Sequence, residues 1–227
     1  METHFDEELK LLKQKLLSMA DTAQAMIGLA VKSLAQREAE IANEVLIIEN
    51  TVNRMEIEIE EEVVRLLARR QPAARDLRLL VAVLKINNDL ERVADQACNI
   101  SETVLYLLQE PPLKAPLIDI PNMARLAQKM VKDSIEAFIN HDSDLAKSVC
   151  ENDDEVDWLN DQIFRVLLTH MLENPKVITR AVDLILVSRN LEKIADHATN
   201  ICEEVIFIEQ GKNIKHNIQE ESTSARP

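Results

Sequence analysis

Between residues 5 and 35 apolar side chains return every three or four positions, the spacing that gathers them on one side of an α-helix. The same period runs over residues 37–70, where Val45, Ile48, Val52, Met55 and Ile59 share a side. A third segment opens at Gln71-Pro72, because a first helical turn tolerates proline's missing N–H, and it continues to residue 109. Glu110-Pro111-Pro112-Leu113-Lys114-Ala115-Pro116 then interrupts the period. This proline-rich stretch, residues 111–121, is the predicted linker, stiffened by proline's fixed torsion. Beyond it the order returns as helices over 122–140 and 143–172, then a third that opens at Asn174-Pro175 with a capping side chain and a first-turn proline. Gly211 is the expected C-cap of the last helix, and the polar tail of residues 211–227 is expected to be disordered.

The pattern predicts an all-α fold, with six long helices forming two tandem, similar three-helix bundles over residues 1–110 and 122–210. A helix of about 30 residues spans roughly 45 Å at 1.5 Å per residue. Composition agrees: two glycines, 3% aromatics and 46% apolar residues suit helices with an ample core rather than sheets with tight turns.

The duplication is written in the residues themselves. Asn88-Asp89-Leu90-Glu91-Arg92-Val93-Ala94-Asp95-Gln96-Ala97-Cys98-Asn99-Ile100 returns 101 positions later as Arg189-Asn190-Leu191-Glu192-Lys193-Ile194-Ala195-Asp196-His197-Ala198-Thr199-Asn200-Ile201. At 100° per residue Leu90, Val93, Ala94, Ala97, Ile100 and Val104 form an apolar face, while Glu91, Asp95, Asn99 and Glu102 line another. Leu191, Ile194, Ala195, Ala198, Ile201 and Val205 copy the first face, and Glu192, Asp196, Asn200 and Glu203 copy the second.

An acidic stripe opposite a core stripe is ordinarily a solvated face. Here like charges four residues apart repel, at a cost of a few tenths of a kcal/mol, and solvation alone gives no reason to hold them in register across two halves. The second helix of each half offers a matching pair, Glu49 with Asn53 and Asp153 with Asp157, each followed by a further polar residue, Glu56 or Asn160. Convergent carboxylate and amide oxygens suit Mg²⁺, Ca²⁺ or Mn²⁺, and carboxylate clusters also hold iron. Zinc ordinarily prefers His or Cys. The eight residues Glu49, Asn53, Glu91, Asp95, Asp153, Asp157, Glu192 and Asp196 are therefore the candidate metal ligands. Asn99, Glu102, Asn200 and Glu203 are further or outer candidates.

Other chemistry is weakly supported. Di-iron carboxylate bundles require Glu-x-x-His on two helices, and the chain has none; His197 answers to Gln96 in the first half and is read as a local residue outside the repeated constellation. No nucleophile elbow, phosphate loop, zinc-protease or dinucleotide motif is present, so no catalytic residue is assigned. A net charge of −14 without a basic run argues against nucleic acid as a direct partner. Apolar runs are far shorter than the roughly 20 residues of a membrane span, and the amino terminus lacks a signal-peptide pattern, so a cytoplasmic protein is expected. Cys98, Cys150 and Cys202 make no CxxC pair and are read as buried thiols in a reducing compartment. Arg92 and Lys193 fall about 100° from the acids and are read as solvated rather than as salt bridges. Ile206, Phe207 and Ile208 suit either a homodimer contact or packing within the bundle.

Gln71-Pro72-Ala73-Ala74-Arg75-Asp76-Leu77-Arg78, the duplicated Leu-Glu-basic-x-x-Asp motif and the ending Gly211-Lys212-Asn213-Ile214-Lys215-His216 together resemble the PhoU family of phosphate-signalling proteins over nearly the whole chain. The resemblance implies a cytoplasmic, often dimeric regulator that represses the phosphate-starvation response. Its partners would be the ATPase subunit of the phosphate transporter and a sensor histidine kinase. It also implies iron or zinc clusters on Glu/Asp-x-x-x-Asp pairs, which fall here on Glu91 and Asp95, Glu192 and Asp196, Asp153 and Asp157, and imperfectly on Glu49 and Asn53, where an amide replaces the second acid. The rival from the residues alone is a metal-dependent hydrolase or metal-storage bundle. A purely structural bundle with solvated acid faces is the third reading.

Overall fold

The computed structural model describes residues 4–72, 74–113 and 119–210. Within them the helices are α1 His4–Gln36, α2 Ala39–Arg70, α3 Ala74–Leu107, α4 Ile120–Asn140, α5 Ser143–Glu173 and α6 Ile178–Gln210. Each half buries the stripe its period requires: α2, for example, turns Val45, Val52, Ile59, Val63 and Leu66 inward. Helices α1, α2 and α3 pack on one another, as do α4, α5 and α6, giving the two three-helix bundles.

Three boundaries differ from the sequence reading. Gln71 is the left-handed C-cap of α2, with its N–H on the Leu67 carbonyl, so Pro72 lies in the turn and α3 opens only at Ala74. Helix α4 begins at Ile120, which brings Pro121 out of the linker and into a first turn. Asn174 does cap, its side chain accepting from the Lys176 N–H, but a short 3₁₀ turn, Pro175–Val177, intervenes before α6. Asp142 caps α5 by accepting from the N–H groups of Asp144 and Leu145. Gly211 and the polar tail lie outside the described residues.

The linker's first residues are anchored. Arg37 donates to the carbonyls of Leu107, Leu108 and Glu110, the last at 2.6 Å, and Arg180 donates to Pro111 O at 2.8 Å. These guanidinium groups satisfy carbonyls that the end of α3 leaves without intrahelical partners.

The most extensive helix pairing crosses between the bundles, α3 against α6, and α1 packs on α4 beside it. Both pairs are antiparallel. Along α3, Arg75, Lys85 and Asp89 meet Glu209, Glu204 and His197 of α6 in reverse order. Gly28 of α1 leaves room for Gln128 of α4, whose Nε2 donates to Gln24 O at 3.1 Å; a Cβ on Gly28 would meet that nitrogen at 3.0 Å. Buried residues of all six helices form one continuous core, so α3 and α6 are shared walls rather than outer helices. Ile206 and Ile208 are buried in it, and Phe207 lies under the Lys85 ammonium at 5.6 Å. That segment is intramolecular packing.

Candidate metal centres

In each bundle the acids of two helices face each other. Structural register matters here: α3 and α6 repeat at 101 residues, but α2 and α5 repeat at 104. The two polar bridges show this, for Asn87 of α3 donates to the Glu56 carbonyl while Ser188, its repeat mate, donates to the Asn160 side chain at 2.8 Å. In that register Glu49 matches Asp153, Asn53 matches Asp157, and Glu56 matches Asn160. Each groove therefore carries four carboxylates and one amide, with the amide displaced by about a turn between halves. Glu56 is the acid that the sequence reading left as an unassigned neighbour. The constant offset within the α2 and α5 pairs was the signal that could have promoted it.

The second groove brings Asp153, Asp157 and Asn160 of α5 against Glu192 and Asp196 of α6. Burial, then the charges of Asp157, Asp196, Asp154 and Glu192, push the Asp153 carboxyl up to about 7. One of its oxygens, Oδ1, is buried with no hydrogen-bond partner. Glu192 is raised by burial and by Asp157 and Asp196, against the opposing pull of Arg189 and a hydrogen bond with Asn160. Asp157 is raised by burial and then Asp196. Asp196 reaches the surface of the groove, yet partial loss of hydration still raises it, opposed by His197 and Lys193.

The first groove is organised differently because an exposed guanidinium at its edge pairs with two of its acids. Arg92 reaches Asp95 Oδ2 at 3.1 Å and Glu91 Oε2 at 3.4 Å, so the expectation of a merely solvated guanidinium is corrected. Torsions of a long side chain override the 100° that separate its Cα from the acids. Glu91 is raised by burial and by Asp95, and Glu56 by burial and by Glu60, but Arg92 opposes both shifts. Glu49 accepts a hydrogen bond from the Cys98 thiol, and burial followed by the Glu49 charge pushes that thiol up to about 12. Asn53 is half-buried on the same helix one turn beyond Glu49.

The outer candidates do not gather with these. Asn99 and Glu102 are exposed. Asn200 turns to the seam between the bundles and donates to Asp89 Oδ1 at 3.3 Å, beside His197, whose Nδ1 lies 2.9 Å from the same oxygen. Glu203 is half-buried one position beyond Cys202, and the shift of Glu192 carries no contribution from it. The donor set of both grooves, carboxylate with amide, suits a hard or iron-type cation, and the unpartnered Asp153 oxygen offers it an acceptor. Among the described residues no three Asp, Glu, His or Cys side chains converge as a coordination cage, so an ion would have to draw the carboxylates together by rotamer changes.

The PhoU domain matches residues 16–104 and again 120–205, one match on each bundle. The chain belongs to the PhoU family. It is 37% identical over 212 residues to a protein of Pseudomonas aeruginosa called phosphate-specific transport system accessory protein PhoU homolog, covering 93% of this chain and 88% of that one. It is 41% identical over 210 residues to the protein of the same name from Aquifex aeolicus, at 92% and 95% coverage. The crystal structure of PhoU from Pseudomonas aeruginosa superposes with a TM-score of 0.89 over 92% of this chain and all of that one, at 37% identity. The phosphate transport system regulatory protein PhoU from Streptococcus pneumoniae gives a TM-score of 0.84 at 26% identity, covering 92% of this chain and 99% of that one. Among the described residues no helix is long and apolar enough to cross a membrane.

Proposed function

We propose that this chain is a cytoplasmic negative regulator of phosphate uptake and of the phosphate-starvation response. It acts as a metal-loaded adaptor between the ATPase subunit of the phosphate transporter and a sensor histidine kinase. The match of both bundles to the PhoU domain carries the reading, together with relatives named as accessories of phosphate-specific transport. The acidic grooves supply its chemistry. Residues Asp153, Asp157, Asn160, Glu192 and Asp196 would hold a cation in the second groove, and Glu49, Asn53, Glu56, Glu91 and Asp95 in the first. A bound cation supplies the positive charge that an anionic ligand or an acidic partner surface would need on so acidic a chain.

The test is complementation. In a bacterium lacking its own PhoU homologue, this chain should restore repression of alkaline phosphatase in phosphate-rich medium. Derepression that persists despite normal expression, or purified protein that turns over a phosphate ester, would sink the regulatory reading. Elemental mass spectrometry of protein purified without chelator tests the metal component separately: roughly stoichiometric metal supports the adaptor with loaded grooves. Dozens of ions per chain would point to storage.

A further inference from the structure

At the end of the inter-bundle seam opposite the linker, four helices close around a cavity of about 230 Å³ lined by none of the groove acids. Lys13 comes from α1, Arg75, Asp76 and Leu79 from the start of α3, His141 from the left-handed C-cap of α4, and Ile208 from the end of α6. His141 Nε2 lies 3.1 Å from the Lys13 ammonium and can only accept from it, so Nδ1 carries the proton and donates to Glu209 Oε1 at 2.7 Å. The imidazole thereby stands between Lys13 and the Glu209 carboxylate.

Lys13 is half-buried, held over the Phe138 ring at 5.8 Å, and forms no ion pair among the described residues. Burial and then the Arg75 charge lower its pKa, against the pull of Glu209. Arg75 is exposed and holds Glu209 Oε1 only loosely, at 3.4 Å. One ammonium donor is spent on His141 and one guanidinium donor on Glu209, which leaves the rest for a ligand. Arg75 and Asp76 also lie in the first turn of α3, where N–H groups lack intrahelical partners and the helix dipole favours an anion. Asp76 is half-buried, lines the same cavity, and makes no ion pair among the described residues. A carboxylate beside two cations is selective: it repels a bare oxyanion but accepts a hydrogen bond from one that still carries a proton.

We propose that this cavity binds a protonated tetrahedral oxyanion, hydrogen phosphate, with Lys13 and Arg75 donating to its charged oxygens and Asp76 accepting from its hydroxyl. Sulfate has the same shape but no proton at neutral pH, so it would leave the Asp76 carboxylate facing a bare oxygen and be rejected. His141 is a positioning residue, directing its proton to Glu209 and keeping that acid off Lys13. The opposite end of the seam lacks these parts. Arg37 stands there in place of His141 with the same left-handed backbone, φ 57° in both, but its guanidinium is taken up by the carbonyls that follow α3. Lys176 and Val177 replace Arg75 and Asp76, so no carboxylate occupies the position that would read a proton. The site stands apart from the metal-loaded reading: phosphate bound here by a chain that fails complementation would count against the adaptor alone.

Isothermal titration of inorganic phosphate into the full-length protein at neutral pH and fixed ionic strength tests the site, on protein as purified and again in chelator. One phosphate per chain is expected in both, with sulfate weaker by roughly tenfold or more. Lys13→Gln and Arg75→Gln should each weaken phosphate by roughly tenfold or more. Asp76→Asn should bring sulfate to within about threefold of phosphate. Four outcomes would overturn the proposal: no binding at roughly 10 mM phosphate, equal binding of sulfate by the unmodified chain, phosphate binding that survives both cation substitutions, or binding that vanishes in chelator and so belongs to groove-bound metal. The sulfate and chelator comparisons use the unmodified chain, so they decide the matter even where a variant fails to fold.

Discussion

The two bundles share one helix order and one donor inventory, yet their grooves store charge differently. In the first, Arg92 bridges Glu91 and Asp95, so half of its carboxylates have a cation within the fold. In the second, Lys193 stands where Arg92 does. Among the described residues it makes no ion pair with Glu192 or Asp196, and burial with mutual repulsion lifts Asp153 to about 7. A guanidinium is long and forked and reaches two carboxylates at once, whereas an exposed ammonium gains little by giving up its water. Repeated sequence therefore yields two electrostatic states: one groove with two acids bridged by a guanidinium, the other with acids that Arg189, Lys193 and His197 oppose without an ion pair among the described residues.

Under the proposed metal-loaded reading, the largest expected effect is unequal metal affinity. Glu192→Gln/Asp196→Asn should abolish most bound metal. Even residues that only orient a ligand are worth roughly 10–100-fold in affinity, so loss of two ligands should cost at least as much. Glu91→Gln/Asp95→Asn should cost less, because Arg92 already competes there. Elemental analysis and manganese titration of both variants check this, and equal losses would dissolve the distinction between grooves.

A middle-sized effect is the pH dependence of the metal-free protein. Asp153 titrates higher folded than unfolded, so its neutral form is the one the fold prefers. Its stabilising contribution is fully present below its ordinary value near 3.8 and is lost as pH rises through about 7. The Asp153 contribution to the melting temperature of chelated protein should therefore fall between about pH 4 and 7 and level off above that. Asp153→Asn should remove most of that slope and raise stability at pH 8 by roughly 1 kcal/mol, a figure discounted for solvent screening. For a chain of this size that is a Tm gain of about 2–4 °C. Scanning calorimetry at several pH values reads it, and a slope unchanged in the variant would count against the crowded groove.

The smallest effect converts one groove toward the other. Arg92→Met should lower stability at pH 8 by about 0.5–1 kcal/mol, the ordinary worth of an exposed ion pair, while raising cation affinity at the first groove a few-fold. Isothermal titration would show it, and unchanged affinity would mean that Arg92 does not gate the site.

Much of this was legible in the residues because helical period and short-range pairing are local. The apolar stripes placed the helices to within a few residues, and Glu91 with Asp95, or Glu192 with Asp196, must share a face wherever the helix goes. Boundaries slipped where a neighbour decided them. Pro72 was displaced from α3 because Gln71 closes α2 in the left-handed region, and Pro121 entered α4 because that helix begins before it. Glu56 escaped assignment because its role depends on the 104-residue register of α2 against α5, which differs from the 101 of the obvious repeat. His197 was legible only as a local residue outside the repeated constellation; that it faces Asp89 across the bundles depends on how α3 and α6 pack.

By itself the sequence determined that the chain is helical, duplicated, acidic and built around paired oxygen donors, since each of those properties follows from residue types and spacings within one or two turns. Only the tertiary structure decided that α3 and α6 are the shared wall, that Asn87 reaches the Glu56 carbonyl, and that His197 and Asn200 meet Asp89. Such contacts join residues tens to more than a hundred positions apart. They depend on how core side chains of two helices interlock, and the polar residues that end up facing each other carry no mark of it along the chain.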